Sequence, residues 1–262
     1  MTRPETDFLE AAQAAARAAG AVLADWRSRF TVREKSRANL VTEADLAAQE
    51  AIHGLIHRRF PEHNFLGEEG LAETNSDGPY RWVIDPLDGT SNYVHGFPYY
   101  GVSIALESRL AAPQRGARGS LTRSDESELL VGVIFDPNRD ELFAAVRGEG
   151  ATLNGAPIRC SETATLGEAM VMGSLPTGVQ RDHPAIRKFL DVMPHVQALQ
   201  RTGSAALNLA AVACGRIDAF WSISLCPWDM AAGTLLVRET GGRVTKSDGS
   251  PWHVEVPDLL AT

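Results

Sequence analysis

Cysteine is scarce in this sequence. Its three residues, Cys160, Cys214 and Cys226, are far apart, odd in number and without paired ligand spacing. That pattern argues against a disulfide framework or a cysteine zinc site, and the expectation is buried, reduced thiols in a cytoplasmic protein. Positive charge is short as well. Lys and Arg number 25 against 33 Asp and Glu, a formal net charge of −8. A basic stripe is not to be expected, and with it no nucleic-acid or anionic-membrane partner. A small phosphorylated substrate stays open, because a bound cation reverses the local field. Long apolar runs are missing too: no window approaches about 18 uninterrupted apolar residues. The opening "MTRPETDFLEAAQ" has neither an apolar core nor a cleavage site. Neither a membrane span nor a signal peptide is expected.

What is present fits an ordinary globular chain: 262 residues, 44% hydrophobic and 22% charged. That length suits one large domain or two closely joined halves. "TDFLEAAQAAARAAGAVLADWRSRF" places Phe8, Ala11, Ala12, Ala15, Ala19, Val22 and Trp26 at helical spacing. Thr42 opens a second helix with Leu46, Ile52, Leu55, Ile56 and Phe60 as its apolar face, and Pro61 stops it. The pattern then turns to period two. "RWVID", "YGVSIALE", "ELLVGVIFD" and "ELFAAVR" read as strands, the last two joined by the turn "DPNRD" as a hairpin. Beyond residue 150 strands and helices alternate, through "SAALNLAAVACG" and "WDMAAGTLLVRETGG", to a last strand at "RVTK". We therefore expect an α+β protein. Its N-terminal half, 1–150, carries an antiparallel sheet, and a C-terminal α/β half, 151–262, completes one catalytic unit. The stretch Ser108–Glu128 is long for a hairpin connection and reads as a mobile surface loop.

Acidic residues gather at element ends. Glu68 and Glu69 follow a strand, Asp85 and Asp88 follow another, Asp229 starts a helix, and Asp45 sits in a first helical turn. Each has a plain structural explanation. Asp45 could complete a Thr42-x-x-Asp capping box, Asp229 could offset a helix dipole, Asp88-Gly89 could be turn chemistry, and the glutamates could be solvated. Together they ask for more. Asp85 directly follows the apolar "RWVI", and no basic residue stands nearby in sequence to neutralise it. A buried unpaired carboxylate is costly. A hard cation such as Mg²⁺, which prefers oxygen ligands, would neutralise it. Gly89, Thr90 and Ser91 then offer backbone N–H groups that can hold a phosphate.

These residues match a known pattern. "WVIDPLDGTSNYVHGFP" resembles the first long signature of the inositol monophosphatase family, and "CPWDMAAGTLLVRETGG" its second. "LVTEAD", "LGEEG" and "RTGSAALNLAAVACGRIDAFW" resemble its shorter motifs, in the expected order, over nearly the whole chain. The resemblance implies a layered αβαβα sandwich of the inositol monophosphatase and sugar phosphatase type. It also implies a homodimer, hydrolysis of phosphate monoesters with two or three Mg²⁺ per site, and inhibition by Li⁺. Carried over motif by motif, Glu68, Asp85, the Leu87 carbonyl, Asp88 and Asp229 would be metal ligands. Glu68 and Thr90 would hold and activate the attacking water, with Asp45 supporting Thr90. The backbone of Gly89, Thr90 and Ser91 would bind phosphate. Leu87, Asp88 and Asp229 border that same space. Gly203, Ser204 and Ala205 would line the place of the alcohol. Lys35 is similar to a family lysine near the metals. Two metals roughly 4 Å apart can clamp the attacking and leaving oxygens. None of the seven histidines is needed as a base, and His95 reads as structural.

There are departures. Inositol-selective members often carry a glutamate seven residues before the second-signature aspartate, and here that position is Ser222. Relatives usually continue into a C-terminal helix past the place where "VPDLLAT" stands. The substrate therefore stays open between inositol monophosphate or another polyol or sugar phosphate and histidinol phosphate, fructose 1,6-bisphosphate or a 3′-phosphoadenosine nucleotide. A non-catalytic regulatory binding protein is the reading from another class.

Overall fold

In a computed structural model of the chain, residues 4–36, 39–73, 78–109, 113–115, 121–123 and 128–262 are described. Two helices open it, α1 (Pro4–Trp26) and α2 (Glu43–Arg59), separated by the hairpin β1 (Val32–Ser36) and β2 (Asn39–Thr42). Then come β3 (Asn64–Gly67), β4 (Ala72–Glu73), β5 (Tyr80–Asp88), the short helix α3 (Thr90–Val94) and β6 (Gly101–Ser108). A small hairpin of β7 (Pro113–Arg115) and β8 (Leu121–Arg123) leads to β9 (Glu128–Asp136), β10 (Glu141–Val146), β11 (Gly150–Leu153) and β12 (Ala156–Pro157). The second part runs β13 (Met170–Gly173), α4 (Pro184–Val192), β14 (Ala198–Gln200), α5 (Ala205–Ala213), β15 (Ala219–Ser222), α6 (Pro227–Glu239), β16 (Val244–Thr245) and β17 (Leu259–Ala261).

Eight strands form one sheet in the order β12-β11-β10-β9-β6-β5-β3-β4, and five form another, β14-β13-β15-β17-β16. Period-two sequence explains the first sheet. Trp82, Ile84, Ile104, Val131 and Val133 face α1 and α2, while Val83, Ala105, Ile134 and Phe143 face α5 and α6. The second sheet closes over the other side of α5 and α6 with Met172, Phe220, Val244 and Leu259. Helix α4 covers its far face, with Phe189 against Trp221 at 6.0 Å between ring centres. The layers are thus α, β, α, β, α, the expected sandwich.

Three expectations are corrected. Leu46 is 44% exposed, because α2 meets α1 through Ala44, Ala48, Ile52 and Ile56, a stripe from which Leu46 is turned away. The cysteines are free thiols but not buried: Cys160 and Cys214 are half-buried, and Cys226 is exposed at the turn into α6. The strand at "RVTK" is not the last, since β17 inserts between β15 and β16. Of the Ser108–Glu128 stretch, the ends belong to β6 and β9 and its middle pairs as β7 and β8. Residues 110–112, 116–120 and 124–127 lie outside the described residues.

Candidate active site

The site forms where β5 ends against the starts of α3, α5 and α6. Asp85 pairs with Ser103 and Asp88 with Gly101, so three steps on β5 oppose two on β6. One extra residue makes a bulge, which bends the strand and re-aims its side chains. The Leu87 N–H donates to Asp85 Oδ1 at 3.0 Å and fixes that bend. Gly89 follows with φ +95°, and a Cβ there would sit 3.1 Å from the Tyr99 carbonyl oxygen. Only glycine takes this turn without strain.

Asp85, Asp88 and Asp229 offer oxygens that all lie within 4.8 Å of one another. Asp85 is 1% exposed and Asp88 8%. A protein donor engages one oxygen of each. Leu87 N–H takes Asp85 Oδ1, the Ser204 hydroxyl and the Ala206 N–H (2.7 Å) both take Asp88 Oδ2, and Cys226 N–H takes Asp229 Oδ2 at 2.7 Å. Among the described residues no Lys, Arg or His forms an ion pair with these three. At an effective dielectric of about 20, each ionised pair at this spacing repels by about 3.5 kcal/mol or more. The consequence shows in their protonation. Burial pushes Asp85 well above the ordinary carboxylate range, with Glu68, Asp88 and Asp229 adding to the push. Burial raises Asp88 to about 6 against the lowering hydrogen bonds from Ser204, Ala206 and Ala205. Burial, then Asp88, raises Asp229 to about 8. Oxygen-only donors with no cationic partner among the described residues suit a hard divalent cation such as Mg²⁺.

Glu68 stands outside that trio of converging oxygens. Its N–H donates to the Ile84 carbonyl at 3.2 Å, extending the β3–β5 ladder. Its carboxylate is close enough to raise Asp85, Asp229 and Asp45. Asp45 is fully buried at the start of α2. Its Oδ2 accepts from the Thr42 N–H (2.8 Å) and hydroxyl (2.6 Å), the expected capping box, and its Oδ1 accepts from the Thr90 hydroxyl at 3.2 Å. Burial raises Asp45 to about 6 although the two Thr42 bonds oppose it. The Leu87 carbonyl also lies 3.2 Å from the Thr90 hydroxyl. Gly89, Thr90 and Ser91 form the entry to α3, with Ser91 exposed.

Gly203, Ser204 and Ala205 lie beside this group at the start of α5. Ser204 caps that helix by accepting from the Leu207 N–H at 3.2 Å while it donates to Asp88. The Ser204 side chain therefore holds an acid of the trio. Ser222 is fully buried at the end of β15, whereas Ser224 is exposed. His95 is exposed, its Nδ1 2.8 Å from the Ser91 carbonyl. The Lys35 side chain lies outside the described residues. Sequence reading did not find Asn92, Tyr99, Thr202 and Asn208. These four interlock next to the site, and their partners lie up to 110 positions apart.

Comparison with known proteins bears on the same residues. The model of the inositol monophosphatase family matches residues 5–112 and 120–262. An inositol-1-monophosphatase of Synechocystis is 40% identical over 258 residues, covering 97% of this chain and 84% of the relative. A protein named Nus factor SuhB from Pseudomonas aeruginosa is 38% identical over 262 residues, covering 97% and 90%. The crystal structure of extragenic suppressor protein suhB from Bartonella henselae superposes with a TM-score of 0.84 at 35% identity, covering 97% of this chain and 93% of that one.

Proposed function

The chain belongs to the inositol monophosphatase family, and on that footing we propose that it is a phosphoric monoester hydrolase. It releases phosphate from a small polyol or sugar phosphate with Mg²⁺ bound. The observation that carries this reading is the trio Asp85, Asp88 and Asp229: three converging carboxylates with no cationic side chain paired to them among the described residues. With Glu68 and the Leu87 carbonyl they would hold the metal. When bound, Mg²⁺ neutralises the acids, polarises the phosphoryl oxygens and lowers the pKa of a water.

The remaining steps fall to the chain. Glu68 and the Thr90 hydroxyl orient the attacking water. Thr90 has one proton and two acceptors at the same 3.2 Å, Asp45 Oδ1 and the Leu87 carbonyl. A charged carboxylate is the stronger acceptor. The Thr90 proton therefore points to Asp45, so as Oγ takes a proton from the water it passes its own to Asp45 Oδ1 and stays neutral. Asp45, held near 6, suits that duty at neutral pH. The N–H groups of Gly89, Thr90 and Ser91 seat the phosphate at the entry to α3. Alignment and charge stabilisation are what monoester hydrolysis chiefly needs. Gly203, Ser204 and Ala205 border the alcohol side.

Ser222 is buried and offers no inositol contact, so the substrate stays open between inositol monophosphate and a related polyol or sugar phosphate. A homodimer, Li⁺ sensitivity and a cytoplasmic location belong to the same reading. The test is a panel of inositol 1-phosphate, histidinol phosphate, fructose 1,6-bisphosphate and 3′-phosphoadenosine nucleotides. It is run with Mg²⁺, with and without Li⁺, and ranked by kcat/KM. Phosphate release that survives Asp88→Asn unchanged would overturn the metal assignment. No release from any member would favour a binding protein.

A further inference from the structure

Two asparagines bridge the same two residues. The Asn92 Nδ2 group donates to the Tyr99 carbonyl at 2.6 Å and to the Thr202 carbonyl at 2.8 Å. Asn208 Oδ1 accepts from the Tyr99 hydroxyl at 3.0 Å and from the Thr202 hydroxyl at 2.6 Å. The result is a closed ring, Asn92–Tyr99–Asn208–Thr202. Asn92 grips the two backbones and Asn208 the two side chains. The ring joins α3, the approach to β6, the chain before α5, and α5 itself.

Its location gives it a purpose. Asn92 comes directly after Ser91, and Thr202 directly before the Gly203–Ser204 corner. Gly203 has φ +89°, and a Cβ there would lie 3.0 Å from Asn92 Nδ2, so the corner rests on the asparagine amide. The next residues, Ser204 and Ala206, are those that donate to Asp88 Oδ2. Asp88 is thus carried by β5 and steered by a corner more than 110 positions away, and the ring fixes the distance between the two. We propose that Asn92 and Thr202 are positioning residues for the metal site. They hold the Ser204–Ala206 corner where it aims the other Asp88 oxygen at the cation. This rests on the Mg²⁺ reading above. Residues that orient metal ligands in this way set metal affinity as well as stability.

The ring predicts which changes matter. Asn92→Asp keeps the shape but replaces the double donor by an acceptor facing two carbonyls. Thr202→Val removes only the hydroxyl, and Thr202→Ser restores it. Mg²⁺ affinity is measured by isothermal titration calorimetry without substrate, with kcat then followed as Mg²⁺ is raised. Asn92→Asp should weaken Mg²⁺ binding by about 10- to 100-fold. Thr202→Val should weaken it severalfold and Thr202→Ser should return it. Both losses in rate should recover at high Mg²⁺, with the substrate KM little changed. A control destabilised elsewhere, His63→Ala, should bind Mg²⁺ like the parent. Folded Asn92→Asp with parental Mg²⁺ affinity would overturn the proposal, as would a Thr202→Val and Thr202→Ser pair that bind alike. The second comparison decides alone if Asn92→Asp does not fold. A parent protein that binds no Mg²⁺ would instead refute the metal reading itself.

Discussion

Asp45 and Thr90, forty-five positions apart, meet over 3.2 Å between a carboxylate oxygen and a hydroxyl. The second oxygen of Asp45 is taken by the Thr42 backbone and side chain. The capping box that starts α2 therefore also aims a buried carboxylate at the turn after β5. Local helix chemistry and the proposed proton path share one residue, so a change at Thr90 touches one duty and a change at Thr42 touches both.

Thr90→Val removes the hydroxyl with little change of shape. Turnover should fall by about 100-fold or more, the usual worth of a positioned proton acceptor. Mg²⁺ affinity should stay near the parent value, since Thr90 contributes no carboxylate. Steady-state kinetics and calorimetry on the same preparation check both halves. Parental turnover would remove Thr90 from the proton path.

Thr42→Ala acts on both duties. Loss of the cap should cost about 1 kcal/mol of stability. It also removes the Thr42 side-chain bond that holds the Asp45 pKa down. The folded pKa of Asp45 should rise above about 6, and the acid limb of the kcat profile should move to higher pH. A lower Tm with an unmoved acid limb would leave Asp45 with the cap alone.

The framework could be read from sequence because its signals are local. Val83 and Ile84 alternate between two cores, and that alternation is what "RWVID" displays. The acids of the site stand at element ends, inside long motifs, so their types and order were visible. What sequence hides is partnership across the chain. Asn92 sits inside a quoted motif, yet its purpose depends on Thr202, 110 positions on. Strand β17 has three residues, too few for a periodic signal, and owes its place to pairing with β15 and β16. Hydrophobicity puts Leu46 on the apolar face of α2, but α2 meets α1 through Ala44, Ala48, Ile52 and Ile56 and leaves it outside. The motif places Ser204 beside the alcohol, and the fold adds a bond from its hydroxyl to Asp88 that no local signal displays.

Metal binding should be linked to protons. Asp229 near 8 holds a proton at neutral pH when no cation is present, and Asp88 near 6 takes one up as the pH falls below neutrality. A cation requires both ionised. Mg²⁺ affinity should therefore rise as pH is raised from about 6 to about 8, and binding at pH 7 should release protons. Calorimetry in buffers of different ionisation enthalpy counts them. Affinity that is flat over this window would contradict the crowding of the three acids.

Placing a glutamate at position 222 should not create an inositol contact. Ser222 is fully buried at the end of β15, and its hydroxyl lies 3.4 Å from the Ser224 N–H. Ser222→Glu must bury a larger, ionisable group with no cation provided for it. We expect a lower Tm and no gain in kcat/KM for inositol 1-phosphate over the other phosphates. A stable variant with a marked shift toward inositol would show that the β15 end opens to the substrate.

His63 should make the fold sensitive to mild acid. Its Nδ1 accepts from the Trp82 indole N–H at 3.0 Å, and its ring packs against Phe8, Phe60 and Tyr80. Burial lowers its pKa from 6.5 to about 4. The folded state therefore keeps His63 neutral while the unfolded chain takes up a proton below about 6.5. The stability this contact contributes is complete above that value and is lost as pH falls from there through about 4. His63→Phe leaves the Trp82 N–H without its acceptor, so it should destabilise at pH 7 by about 1–3 kcal/mol. That deficit should shrink as pH falls, because the variant has no imidazole to protonate. Urea unfolding of both proteins at pH 7 and at pH 4.5 tests the sign: a deficit that stays constant or grows in acid would mean that His63 is not held neutral by the fold.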